Sequence, residues 1–121
     1  MFKVIIAGGR DFMDYDLLRS KCNNLLCEVA LSDVRLEIVS GQAKGADQLG
    51  EQYAIDSNLQ IKKFPADWNT HGKSAGYIRN KEMAEYADAL IAFWDGKSRG
   101  THNMIKIAKQ NDLKVRVIRY E

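Results

Sequence analysis

The sequence has little of what marks many specialised chains. Proline occurs once, at Pro65, and no segment is of low complexity, so disorder away from the ends is not expected. Cysteine occurs only at Cys22 and Cys27, five apart on one expected helix. That spacing puts the two on different faces and disfavours both a disulfide and a shared metal. Reduced, semi-buried thiols are the expectation. The two histidines, His71 and His102, stand alone, outside any H-x-x-x-H or Cys/His cluster, so no metal site is expected. No apolar run approaches a membrane span, and the apolar start Met1–Ala7 soon meets Gly8-Gly9-Arg10-Asp11, too short for a signal peptide. The expectation is a soluble, cytoplasmic protein with no membrane partner. The net charge of +2 is too small to imply nucleic acid, although a local cluster of cations is compatible with phosphate. G-x-x-x-x-G-K-[ST] is missing, which excludes a P-loop nucleotidase. The loop after the first apolar run lacks G-x-G-x-x-G, which argues against an ordinary dinucleotide dehydrogenase. No resident cofactor is expected.

What is present is an ordinary globular composition, 45% hydrophobic and 28% charged over 121 residues, enough for one domain with a core. The stretch Ser40-Gly41-Gln42-Ala43-Lys44-Gly45-Ala46-Asp47 organises it. It follows an apolar run, Leu36–Val39, and precedes a helical pattern carried by Ala46, Leu49, Tyr53 and Ala54. A strand that breaks into a glycine-bearing turn and then a helix makes an anion site. Glycine admits close approach, and the N–H groups of the first helical turn point outward. Lys44 adds positive charge. Asp47 can cap the helix or accept a ribose hydroxyl. From this stretch alone, a tight turn with a capped helix accounts for the residues equally well.

Val4–Ala7 is a β-branched run that fits a strand buried on both faces. Asp14 is an N-cap candidate for a helix whose apolar stripe is Leu18, Cys22, Leu25, Leu26 and Val29, closed by Ser32-Asp33. Leu59–Phe64 is interrupted by Gln60, Lys62 and Lys63 and reads as an edge strand. Pro65–Gly76 reads as the longest loop, and long loops in compact domains are more often functional than accidental. A helix from Ala75 to Tyr86 should turn Ile78 and Met83 inward. Ala89–Phe93 is the most apolar strand and should be central. A last helix carries Met104, Ile105, Ile107 and Ala108, and Lys114–Tyr120 is an edge strand with a charged alternate face.

Five strands alternating with four helices, roughly 25 residues apart, predict an α/β, Rossmann-like three-layer αβα sandwich with right-handed crossovers. The two most apolar strands, first and fourth, should be central neighbours. The order is then 3-2-1-4-5 in a five-stranded parallel sheet, and ligands bind outside the carboxyl ends of its strands.

The loops that topology gathers on one rim share a composition. The first holds Gly8, Gly9, Arg10 and Asp11. The second holds Ser40, Gly41, Lys44, Gly45 and Asp47. The third holds Asp67, Trp68, Lys73 and Gly76, with Arg79 and Asn80 one turn into its helix. The fourth holds Asp95, Gly96, Lys97, Ser98, Arg99, Gly100 and Thr101. Glycine and cations repeated on one rim suit a phosphate or diphosphate. Trp68 is either a stacking face for a base or a lid packed on the core. The rim aspartates suit acid–base or nucleophilic work, and equally suit caps and turns.

Gly8-Gly9-Arg10-Asp11-Phe12, Ser40-Gly41-x-Ala43-x-Gly45-Ala46-Asp47, and Ala66-Asp67-Trp68 with Gly72-Lys73-x-Ala75-Gly76-x-x-Arg79-Asn80-x-x-Met83 resemble, as an ordered set, the YspA-type (cpYpsA-related) branch of the SLOG superfamily. That superfamily is Rossmann-like. It includes Lonely-guy-type phosphoribohydrolases, the DNA-processing protein DprA and nucleotide-sensing domains of bacterial defence systems. The resemblance covers nearly the whole chain. It implies that residues 1–121 form a SLOG-like domain whose rim holds a nucleotide or a derivative such as ADP-ribose or NAD. Arg79-Asn80-x-x-Met83 is similar to the R-K-x-x-M element of the phosphoribohydrolases. Gly100-Thr101 match the G-T pair of their P-G-G-x-G-T-x-x-E element, but Met104 occupies the glutamate position. The phosphate-binding half of that site is therefore represented and its usual acid is not. Asp47, Asp67, Glu82 and Glu85 are the substitutes within reach. The leading expectation is a sensor or sequestering module for a nucleotide-derived small molecule. The alternative is an N-glycosidic or nucleotide-processing hydrolase or transferase. Single-stranded nucleic-acid binding, by analogy with DprA, ranks third. Homodimerisation or higher homo-oligomerisation is compatible with exposed helices on so small a domain.

Overall fold

A computed structural model describes residues 1–120. The elements run β1 (Phe2–Gly8), α1 (Tyr15–Ala30), β2 (Leu36–Ser40), α2 (Ala46–Asp56), β3 (Gln60–Lys63), α3 (Trp68–His71), α4 (Ala75–Tyr86), β4 (Ala89–Trp94), α5 (Arg99–Gln110) and β5 (Lys114–Arg119). The sheet order is β3-β2-β1-β4-β5, and every pairing is parallel. This is the Rossmann-like α/β arrangement expected from the apolar runs.

Alternation along β1 divides the core. Val4 and Ile6 face a cluster with Leu18, Cys22 and Leu26 of α1 and Ala46, Tyr53 and Ala54 of α2. Ile5 and Ala7 face the opposite cluster, with Met83 and Ala84 of α4 and Met104, Ile105 and Ala108 of α5. Burial of both faces is what makes β1 and β4 continuous apolar runs, whereas β3 and β5 lie at the edges. Among the described residues, no helix is long and apolar enough to cross a membrane.

Local expectations fare unevenly. Asp14 caps α1, accepting from the Leu17 N–H at 3.0 Å. The helix ends at Ala30, before Ser32-Asp33. Leu25 lies on the flank of the apolar stripe and is exposed, as is Ile78, which falls nearly opposite the buried Asn80 and Met83 on α4. Cys22 is buried and Cys27 exposed, so neither is the semi-buried thiol expected. Burial pushes the Cys22 thiol up to about 12, which leaves it protonated and inert. The stretch Pro65–Gly76 is not an irregular loop. It holds α3 and a 3-10 turn over Gly72–Ser74, so the chain has five α-helices rather than four among the described residues. α3 buries no residue, and a one-turn helix without an apolar face leaves no periodicity to read.

The carboxyl end of β1 and the start of α2 meet closely. Gly45 has φ +79°, and a Cβ there would lie within 2.6 Å of the Gly9 oxygen and the Arg10 backbone. The Ala46 N–H donates to the Gly9 carbonyl at 3.2 Å. Gly45→Ala therefore combines a disfavoured backbone with a collision against main chain, and should cost at least about 1–3 kcal/mol. Urea unfolding of the variant checks this, and an unchanged midpoint would refute the close-contact account.

Candidate nucleotide-binding cleft

At the carboxyl ends of the strands two adjoining cavities open. The first, of about 480 Å³, has a floor of Ala7, Gly8 and Gly9 with the buried thioethers of Met83 and Met104, and Arg10, Asp11, Asp47, Lys73, Arg79, Asp95 and Ser98 around it. Trp68 and Tyr77 also line it, and both are exposed. The second, of about 530 Å³, is walled by Gly41, Gln42, Ala43, Lys44, Pro65 and Ala66. Arg10, Ala43, Trp68 and Arg79 line both.

Most of the expected rim residues reach this cleft. Gly8, Gly9, Arg10, Asp11, Asp47, Trp68, Lys73, Gly76, Arg79, Asn80, Asp95, Ser98, Gly100 and Thr101 line the first cavity. Gly41 and Lys44 line the second. Eight expected residues line neither, among them the exposed Lys97 and Arg99 of the fourth loop and the exposed Glu85 of α4. Ser40 is buried, donates to Glu51 at 2.6 Å and accepts from the Gln42 N–H. Gly45 is spent on the contact with Gly9 and Arg10. Gly96 lies beneath the Arg119 guanidinium. Asp67 is exposed and caps α3, accepting from the Thr70 N–H at 3.1 Å, and Glu82 is exposed on α4. Asp67 thus serves as a cap beside Trp68, and Glu82 lies outside both cavities.

The four rim aspartates have different surroundings. Asp95 accepts from the Lys97 and Ser98 N–H groups, both at 2.8 Å, and these bonds hold its carboxyl below the ordinary value. Asp67 is lowered in the same way by its bonds to Thr70. Asp11 accepts from the Tyr120 hydroxyl at 2.6 Å. Asp47 is only 4% exposed. Burial pushes its carboxyl up to about 6, against the opposing pull of Arg79 and of N–H groups at Ala43 and Gly8. A buried carboxyl titrating near neutrality and lining a cleft suits acid–base chemistry.

Arg79 is held as firmly. It donates to the Gly41 carbonyl and, at 3.1 Å, to Asn80 Oδ1. Asn80 is buried and spends its amide Nδ2 on Gly100 O at 3.3 Å and Asn103 Oδ1 at 2.9 Å, so its work is to tie α4 to α5. The first N–H of α2 is already taken by the Gly9 carbonyl, contrary to its expected role as the anion-facing terminus. The helix starts that face the first cavity are those of α4, through Gly76 and Tyr77, and of α5, through Gly100 and Thr101. Ser74, before α4, supplies no side-chain cap.

Some residues that line the cleft, or like Tyr120 hold one that does, escape sequence reasoning. Met83 is legible only as core. Tyr77 lacked a neighbour that would mark it. Tyr120 packs edge-on against Phe12 with ring centres 4.8 Å apart, and Phe12 stacks on Phe93 at the same distance. Its place just beyond β5 was an available signal, because all the strands end on the same rim.

The raised carboxyl of Asp47 has a consequence for stability. Its folded value of about 6 exceeds the ordinary 3.8, so the native state binds this proton more tightly than the unfolded state. The contribution is full below about pH 4 and is lost as the pH rises through 6. About two pH units of difference correspond to about 3 kcal/mol. Wild type should lose up to that amount relative to Asp47→Asn between pH 4 and pH 7, as read from urea unfolding across the range. A difference independent of pH would refute the raised value.

Comparison with known proteins agrees with the fold. The family model described as YspA, cpYpsA-related SLOG family matches residues 2–71. Gene 61 protein of Mycobacterium phage D29 is 33% identical over 121 residues, covering 95% of this chain and 94% of that protein. The structure of DNA processing protein A from Helicobacter pylori, described for its single-stranded DNA binding mode, superposes with a TM-score of 0.69 at 19% identity. The match covers 99% of this chain and 66% of that one, and it shows a shared fold. The matched family segment contains the first two glycine-bearing rim loops, and on that match and the phage relative the chain belongs to the YspA, cpYpsA-related SLOG family.

Proposed function

We propose that the cleft binds the phosphate of a nucleotide or nucleotide-derived small molecule, of the ADP-ribose or NAD type, and that the protein acts as a sensor or sequestering module. The observation that carries this reading is the convergence of Arg10, Arg79 and Lys73 with the starts of α4 and α5 over a glycine floor. Positive charge, helix N-termini and backbone without side chains are what a phosphate requires. The exposed rings of Trp68 and Tyr77 suit a base. Family membership supports a nucleotide-related ligand.

Two further readings each rest on one observation. Single-stranded nucleic acid is favoured by the structural likeness to the Helicobacter pylori protein, and exposed aromatics beside cations suit it. Turnover is favoured by Asp47, a buried carboxyl pushed up to about 6 within the cavity, although the Met104 thioether that lines the same cavity moves no proton.

The test is native mass spectrometry and calorimetry with AMP, NAD, ADP-ribose, cyclic derivatives and a 5′-phosphorylated single-stranded oligonucleotide. A ligand recovered intact supports the sensor, a released base or sugar phosphate supports turnover, and a strand bound with steep salt dependence supports nucleic acid. Arg10→Ala, which removes an exposed cation from the cleft, should weaken binding by about 1.5–3 kcal/mol, roughly ten- to a hundredfold. Wild-type affinity in that variant, or no binding by any compound, would overturn the proposal.

A further inference from the structure

The cleft has two lobes, and its best-held cation lies between them. Arg79 lines both cavities and is pinned by the Gly41 carbonyl and Asn80, so it cannot swing wholly into either. A Cβ on Gly41 would lie 2.8 Å from the guanidinium, which shows how closely that loop is fitted to it. Arg10 and Trp68 share the boundary. Each lobe also has an exposed lysine of its own, Lys73 in the first and Lys44 in the second. The volumes, about 480 and 530 Å³, each fall in the range of roughly 300–1,000 Å³ typical of small-molecule sites. A mononucleotide with its phosphate on the boundary arginines occupies one lobe and leaves the other, with its lysine, in water.

Resting on the phosphate-binding reading above, we propose that the ligand spans both lobes. It consists of two nucleoside-type or sugar units joined through a phosphate or diphosphate that lies across Arg10 and Arg79. One unit sits in each lobe, with the Trp68 indole beside the junction. Lys44 and Gln42 meet the second unit, and the apolar Pro65 and Ala66 form its wall. This chemistry has two sources: a free dinucleotide, or successive residues of a single strand.

Calorimetry with AMP, ADP, ADP-ribose and the 5′-phosphorylated dinucleotide pApA separates the outcomes. ADP carries the extra phosphate without the second unit. The expected result is that ADP-ribose or pApA binds at least tenfold more tightly than ADP, and that Lys44→Glu removes most of that margin. A margin for ADP-ribose alone supports the free dinucleotide. A margin for pApA that grows with strand length supports the strand. Equal affinity for ADP and both two-unit ligands overturns the two-lobe proposal and leaves phosphate binding standing. A margin that Lys44→Glu leaves intact also overturns it, because the second unit then lies elsewhere. No binding by any of the four overturns both readings.

Discussion

The guanidinium of Arg79 and the carboxyl of Asp47 depend on each other, and the cleft depends on both. Each is largely withdrawn from water, and each would be costly there alone. Burial works against the charge of both groups, and each opposes the effect on the other. The pair lies just beneath Gly41, where an added Cβ would come within 2.8 Å of both groups. Asp47 also accepts from the Ala43 N–H at 3.2 Å, and Arg79 from the other side holds the Gly41 carbonyl. The loop after β2 is thus shaped around a carboxyl from α2 and a guanidinium from α4, each of which favours the charge of the other. Through Asn80 the same network extends to the first turn of α5. Three loops of the rim are set relative to one another by one chain of polar contacts.

This division of labour explains which parts of the molecule were legible in the sequence. Sheet order followed from hydrophobic pattern, because strands buried on both faces must be apolar throughout and edge strands need not be. Val4–Ala7 and Ala89–Phe93 carry that signal, and charged positions in Gln60–Lys63 and Lys114–Arg119 carry its opposite. The rim was legible for a related reason. Parallel connections bring the ends of all the strands to one side, so glycines and cations scattered through the chain fall together. The individual tasks of the rim residues were not legible. A sequence cannot distinguish an aspartate that caps a short helix, as Asp67 does, from one buried beneath a glycine loop, as Asp47 is. That difference lies in burial and in partners from other elements.

The charge balance of the rim follows from the same contacts. The chain carries a net charge of only +2, and three aspartates line the cleft with its cations while a fourth, Asp67, stands next to Trp68 outside it. Asp67 and Asp95 spend their acceptor capacity on backbone N–H groups of their own turns, and Asp11 accepts from Tyr120. Asp47 is compensated by Arg79. The carboxylates therefore build the loops, while Arg10, Lys44 and Lys73 stand exposed at the cleft. A modest overall charge is thereby compatible with a local excess of exposed cations at the cleft.

Rigidity is distributed in the same sense. The Gly8–Gly9 floor continues a central strand, Arg79 is tied at two points, and Asn80 locks α4 to α5. These groups can meet a phosphate without paying for their own ordering, which is the advantage of a preorganised site. Arg10, Lys44, Lys73, Trp68 and Tyr77 are exposed, and side chains of that kind lose rotamer freedom when they close on a ligand. On the proposed phosphate-binding reading, Arg79 and the glycine floor supply the preorganised part of the site and the exposed Arg10 adds charge to it. Discrimination among the units attached to the phosphate falls to the exposed side chains, since only they can adjust to a base or a second sugar. A ligand that engages the fixed arginine alone gains charge compensation and little else. One that also orders the aromatic and lysine side chains recovers the contact area that makes recognition selective.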